Sequence, residues 1–167
     1  MEKKELKFLI LLFYYNRPKM VLNALNSINK LSYKKFEVAF IDDGSDNPGE
    51  PIVRETLKPS FLKKVTFYNT NDTVKAKIER GGSNFGKLAN EAVKNSDADI
   101  VLMLCDDDAL FSDYLNYLNR FYLFNNRINY AYCKLKYYDP SKEAYTKAKV
   151  NEEDITNKLI NPVTNLD

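Results

Sequence analysis

Residues 98–110 read ADIVLMLCDDDAL, and how this stretch is interpreted decides the fold. Ile100 to Leu104 form an unbroken apolar run of strand length, which predicts a buried strand over 99–104. Asp106, Asp107 and Asp108 follow almost at once. Like charges a few ångströms apart raise one another's pKa and destabilise the chain unless something positive sits among them. Three consecutive Asp on a surface loop are usually a solvated turn. That reading weakens here because a buried strand runs directly into them.

Outward from this stretch, strand and helix patterns alternate. LKFLILLFY (6–14) and FEVAFI (36–41) are two more continuous apolar runs, and KKVTFYN (63–69) reads as a shorter strand. Between the first two, Val21, Leu22, Leu25, Ile28 and Leu31 recur at helical spacing behind Pro18, which suits a first helical turn. A weaker helix is predicted over 50–57, with Pro51 near its start. Residues 70–83 read as a polar stretch. A helix is predicted over 85–95, with Leu88, Ala89, Ala92 and Val93 on one face, and another over 112–124 with Ser112 as its N-cap. NYAYCKLKYYD (129–139) reads as a further strand. Strands apolar on both faces, alternating with helices, predict an α/β fold with a mostly parallel sheet covered by helices. The alternation covers residues 1–139. From Pro140 to 167 the chain turns polar with weak periodicity, and an irregular segment is expected.

The chain has 167 residues, enough for one domain with a real core. It has no histidine, which removes Ser-His-Asp and Cys-His catalysis. Two separated cysteines, Cys105 and Cys133, cannot make a zinc site alone and read as buried thiols in a reducing cytoplasm. A net charge of +2 argues against a general nucleic-acid binder. No apolar run is long enough to span a membrane. The N-terminal MEKKELKFLILLFYYNRP lacks a small-residue cleavage site and reads as a first strand rather than a signal peptide.

Ligands of an open parallel sheet bind outside the carboxyl ends of its strands. Right-handed crossovers bring three polar strand ends to one edge: Tyr14-Tyr15-Asn16-Arg17, Asp42-Asp43-Gly44-Ser45 and Asp106-Asp107-Asp108. At least five carboxylates are expected to converge there, a donor set for Mg²⁺ or Mn²⁺ held together with substrate phosphates. Arg80-Gly81-Gly82-Ser83-Asn84-Phe85-Gly86-Lys87 leads into a helix N-terminus that could help position an anion or diphosphate. Singly, each piece has a plain alternative. Asp-Asp-Gly-Ser is often only a turn, and GGSNFG matches a nucleotide fingerprint loosely because it follows a polar loop.

In this order the pieces resemble the family-2 glycosyltransferases of the GT-A fold. The resemblance is carried by FYYNRPKMVLNALNSI, FEVAFIDDGS, NFGKLANEAV and DADIVLMLCDDDALFSDYL, across about residues 6–120. It implies a nucleoside diphosphate sugar donor, most commonly a UDP-sugar, and a glycan or other hydroxyl acceptor. It also implies Mn²⁺ or Mg²⁺, cytoplasmic donor chemistry, inversion of the anomeric centre, and a role in building a polysaccharide or other glycan. Phe13 and Tyr15 would pack near the nucleobase, with Arg17 at the same strand end. Asp43 would accept a hydrogen bond from the base. Arg80 or Lys87 would lie near the base or diphosphate. Asp106 would contact the ribose, Asp107 would be the metal ligand, and Asp108 would support metal or sugar. The family often writes the acid cluster Asp-x-Asp-Asp, so Cys105 stands where the first Asp usually is. An alternative register makes Asp106 and Asp108 the outer pair.

The resemblance supplies no clear catalytic base. Glu153 and Asp154, in NEEDI (151–155), are the candidates, although a solvated acidic turn is the plainer reading. Two functions of different class follow: a metal-assisted sugar transferase, or a non-catalytic nucleotide-sugar-binding module. A phospho-acceptor receiver would place its acid pair after the first strand, whereas here DDGS follows the second.

Overall fold

The computed structural model describes residues 5–125, 127–131, 136–139 and 144–147. Two compact units divide the chain, residues 1–126 and 127–167. The first contains β1 (Phe8–Tyr14), α1 (Val21–Ile28), β2 (Phe36–Asp42), α2 (Gly49–Thr56), α3 (Pro59–Leu62), β3 (Val65–Asn69), α4 (Val74–Arg80), α5 (Phe85–Lys94), β4 (Ile100–Cys105) and α6 (Tyr114–Phe124). The second contains β5 (Lys136–Asp139) and β6 (Ala144–Lys147), paired antiparallel. The strand expected over 129–139 is therefore described over 136–139, in its own two-stranded sheet, and β6 lies in the segment expected to be irregular.

The main sheet has the order β3-β2-β1-β4 and every pair is parallel. The α/β fold read from the alternation is the fold observed. In register, Leu11 of β1 lies between Ala39 of β2 and Met103 of β4. Period-2 geometry sends alternate β1 side chains to opposite faces. Phe8, Ile10, Leu12 and Tyr14 pack with Val21, Ala24, Leu25 and Ile28 of α1, Val53 of α2 and Leu115 of α6. Leu9 and Leu11 join Ala39 and Ile41 of β2 under Leu88 and Ala92 of α5. Burying each large aliphatic side chain stabilises the fold by about 1.5–3 kcal/mol. This two-sided cover explains why the central strands are apolar throughout.

Several local expectations change at the edges. β4 is apolar on both faces but covered on one: Val101 and Met103 are exposed, while Leu104 is buried. Its chain neighbour α5 packs over β1, β2 and β3 instead. Leu22 and Val93 point outward, because Ala24 takes the α1 core position and Leu88 with Ala92 suffice to seat α5. The N-cap of α6 is Asp113, not Ser112, and no side chain caps it. Ser112 instead uses its carbonyl, which accepts from Ser32 N and Ser32 Oγ at 2.9 Å each. The polar stretch 70–83 contains the helix α4, N-capped by Thr73, whose hydroxyl accepts from Ala76 N at 3.2 Å.

Candidate functional site

The chain runs from β1 to β2 to β3 in one direction, then returns to place β4 on the far side of β1. The β1/β4 boundary is thus the switch point at which an open sheet forms its crevice, outside the carboxyl ends of the strands. Two polar clusters are built at this end of the sheet.

The first joins β1 to β4. Tyr15 N donates to Asp106 Oδ2 at 3.3 Å. Arg17 Nη1 donates to Asp106 Oδ1 at 3.3 Å and to Asp107 Oδ2 at 3.0 Å. The positive group among the three acids is therefore Arg17, contributed from 89 residues earlier in the chain. Asp106 is buried, whereas Arg17 and Asp107 are about half exposed. Cys105 Sγ and a carboxylate oxygen from each of Asp107 and Asp108 lie within 4.8 Å of one another, close enough to share a cation. Burial pushes the Asp108 carboxyl upward, and neighbouring Asp107 adds to it. Cys105, expected as a buried thiol, is instead exposed at the end of β4, an edge strand covered on one face, and Cys133 lies outside the described residues. The Cys105 thiol is also pushed up, first by partial desolvation and then by the three carboxylates. It stays a protonated, weak ligand at neutral pH, so the useful donors are oxygens, which suit Mg²⁺ or Mn²⁺.

The second cluster follows β2. Its two acids divide their work. Asp42 accepts from Ser45 N and Gly49 N, both at 2.9 Å, and so holds the turn into α2. It is consumed structurally, which reduces the five expected site carboxylates to four. Gly44 adopts φ +68°, and a Cβ there would stand 2.6 Å from the Asp72 carbonyl oxygen. Gly49 is pressed on Phe40 and Tyr14, where a Cβ would meet ring carbons at 2.4 and 2.8 Å. Asp43 turns toward the α4–α5 loop and is 2% exposed. Its Oδ1 accepts from Asn84 Nδ2 at 2.9 Å and its Oδ2 from Asn84 N at 3.1 Å. Lys77 Nζ lies 3.6 Å from Asp43 Oδ2, donates to the Asp43 carbonyl, and sits 4.2 Å from the centroid of the Tyr15 ring.

Asn16 ties the two clusters together. It adopts φ 52°, a conformation Asn tolerates better than most residues. Its N–H donates to Ser45 Oγ at 3.0 Å, and its Oδ1 accepts from Asn47 N at 3.2 Å.

The other named residues fall as follows. Phe13 packs edge-on against Phe85 of α5, ring centroids 5.3 Å apart. Arg80 pairs with Asp72, whose carboxyl is held below its usual range by the Asn84 amide and then by Arg80. Lys87 is exposed in the first turn of α5. Glu153 and Asp154 lie outside the described residues. Three residues that sequence reasoning passed over complete the network: Asn84, Asp72 and Lys77. Asn84 stands in NFGKLANEAV, where the sequence marks only a helix start; its buried amide donates also to Asp72 Oδ2 at 2.9 Å, a contact that no local pattern announces.

No curated protein matches the chain significantly. Solved structures do. The crystal structure of Staphylococcus aureus TarS 1–349 is 25% identical with a TM-score of 0.57, over 72% of this chain and 33% of that one. The same fragment in complex with UDP-GlcNAc is 24% identical with a TM-score of 0.58, over 72% and 32%. A Pyrobaculum calidifontis mannosyltransferase in complex with GDP-Man and Mn²⁺ is 19% identical with a TM-score of 0.51, over 70% and 32%. The chain thus spans about a third of the length of these relatives. The likeness to these structures is one of fold, and the family model described as glycosyl transferase family 2 matches residues 10–165. The chain belongs to glycosyl transferase family 2.

Proposed function

We propose that this chain binds a nucleoside diphosphate sugar at the β1/β4 switch point and serves the transfer of its sugar to a hydroxyl acceptor. The observation that carries the reading is the convergence of Tyr15, Asp43 and the Asp106–Asp108 cluster on one strand edge. Tyr15 would offer a ring face to a nucleobase, Phe13 would pack near that base, and Asp43 would be the acceptor for a base N–H. Asp106 would contact the ribose, and Arg17, Arg80 and Lys87 would supply positive charge for the diphosphate. Of the base choices, uracil is the expected one; among the neighbours of this fold, TarS was crystallised with UDP-GlcNAc and the mannosyltransferase with GDP-Man.

Asp107, with Asp108 beside it, would hold the divalent cation. Such an ion would neutralise charge on the departing nucleoside diphosphate. The fit rests on their shared reach and on oxygen donors. Arg17 does not block it. An exposed ion pair contributes only about 0–1 kcal/mol, so Arg17 can leave Asp107 and turn to the diphosphate at little cost. The acceptor hydroxyl requires a carboxylate base for an inverting transfer, and Glu153 or Asp154 are the candidates in this chain.

Calorimetric titration with UDP, GDP, dTDP and CDP, each with and without Mn²⁺, tests the reading. One nucleotide is expected to bind in a Mn²⁺-dependent manner, and Asp107→Asn to weaken it tenfold or more, on the order of one lost metal ligand. Failure of all four to bind a folded chain would overturn the donor site.

A further inference from the structure

We propose that Lys77 is a built-in competitor of the donor's nucleobase, and that α4 is the part that moves to admit it. The inference rests on the donor-site reading above. Lys77 engages both groups assigned to the base at once. Its ammonium lies 4.2 Å from the Tyr15 ring centroid, a cation–π distance. It also donates to the Asp43 carbonyl and stands 3.6 Å from the Asp43 carboxylate. Its side chain is 12% exposed, so the ammonium is largely withdrawn from water at this spot. A base stacked on that face of Tyr15 and donating to Asp43 needs the volume and the acceptor that Lys77 holds.

The helix carrying Lys77 is built to let go. α4 buries no residue. Its two aliphatic side chains face solvent, Val74 at 50% and Ile78 at 73% exposure. Its contacts are polar: Lys77 on Asp43 and on the Tyr15 ring, and Arg80 on Asp72, which directly precedes the helix and accepts from Asn84. It ends at Gly81, φ 83°, followed by Gly82, and a Cβ at either glycine would touch nothing within 4 Å. A seven-residue helix with no apolar anchor and two unhindered glycines behind it opens without disturbing the core. Asn84, the next ordered contact, stays on Asp43 through α5 and keeps the carboxylate aimed while Lys77 departs.

Displacement has a definite signature. Binding is weakened by whatever Lys77 loses when the base takes its place. Removing the ammonium while keeping the alkyl stem, Lys77→Met, is expected to tighten UDP binding in excess Mn²⁺ by about tenfold, the scale of one desolvated cation–π contact. Lys77→Arg retains the cation and is expected to stay near wild type. In hydrogen exchange of the wild-type chain, saturating UDP is expected to speed exchange at residues 74–80, as the helix loses its anchor. If UDP binds wild type and Lys77→Met equally, or the variant more weakly, or if UDP protects 74–80, Lys77 is a donor ligand or a bystander and the proposal fails. That result leaves the donor site standing. Binding of none of the four nucleotides to either chain would instead remove the donor-site reading, and this proposal with it.

Discussion

Asn84 gives one backbone and two side-chain hydrogen bonds to carboxylates, two of the three to buried Asp43. Hydrogen bonds to charged groups are worth about 1.5–3 kcal/mol net, and an acceptor left bare in the interior costs its desolvation as well. Asn84→Ala is therefore expected to lower unfolding stability by about 2–3 kcal/mol, read as a shift in urea midpoint. Asn84→Asp should cost more, since it sets a third carboxylate beside Asp43 and Asp72. Thr70 Oγ1 also donates to Asp43 Oδ1 at 3.4 Å, and a loss under about 0.5 kcal/mol for Asn84→Ala would show that Lys77 and Thr70 satisfy Asp43 without it. Gly44 makes a second test at this scale. Gly44→Ala combines a positive φ with a 2.6 Å approach to a backbone oxygen, and about 1–3 kcal/mol of strain is expected in the same titration. Which of these residues could be foreseen depended on the kind of signal. Asp43, Asp106 and Asp107 stand at the ends of apolar runs and announce themselves. Lys77 and Asp72 sit in a polar stretch and acquire meaning only through what they touch.

At the scale of elements, α4 and α5 are consecutive helices with opposite relations to the core. α5 seats Leu88 and Ala92 on the β1–β2 face, whereas α4 seats nothing. Leu88→Ala is expected to cost about 2–4 kcal/mol, because the transfer term and the cavity add. Ile78→Ala, on a side chain already in water, should stay within about 0.5 kcal/mol. Thermal or urea unfolding of the two variants side by side checks the contrast, and a large Ile78 effect would mean that α4 is docked rather than tethered. The same contrast explains what was legible. α5 repeats its apolar residues toward a core and was predicted over 85–95. α4 has only Val74 and Ile78, turned outward, so its pattern resembles a loop. β4 misleads in the other sense: its sequence is that of a strand covered on both sides, but its edge position leaves Met103 68% exposed.

Across the whole of the first unit, Tyr33 links distant parts of the chain. Its hydroxyl donates to the Leu6 carbonyl at 2.6 Å and lies 3.3 Å from Asn119 Oδ1 of α6. Burial, then the charges of Glu5 and Asp99, raises its pKa from 10.0 to about 12. Above pH 10 the unfolded chain gives up this proton while the folded chain keeps it, so the folded state binds more protons and stability falls as pH rises. Its contribution is complete below pH 10 and is lost progressively up to about pH 12. Tyr33→Phe should be less stable at neutral pH yet show a shallower decline across that window, measured by denaturant midpoint against pH; an unchanged slope would assign the decline to other groups. The sequence by itself determined the α/β class, the parallel character of the sheet, the strand-end position of the acids and, through four motifs in order, the family. These are written in local periodicity and spacing, which a single pass along the chain can read. Only the tertiary structure decided that Arg17 is the cation among the acids, that Asp42 serves a turn while Asp43 faces the site, and that Lys77 lies on Tyr15. Each depends on strands or loops far apart in sequence being brought side by side, and local pattern does not encode which partners meet there.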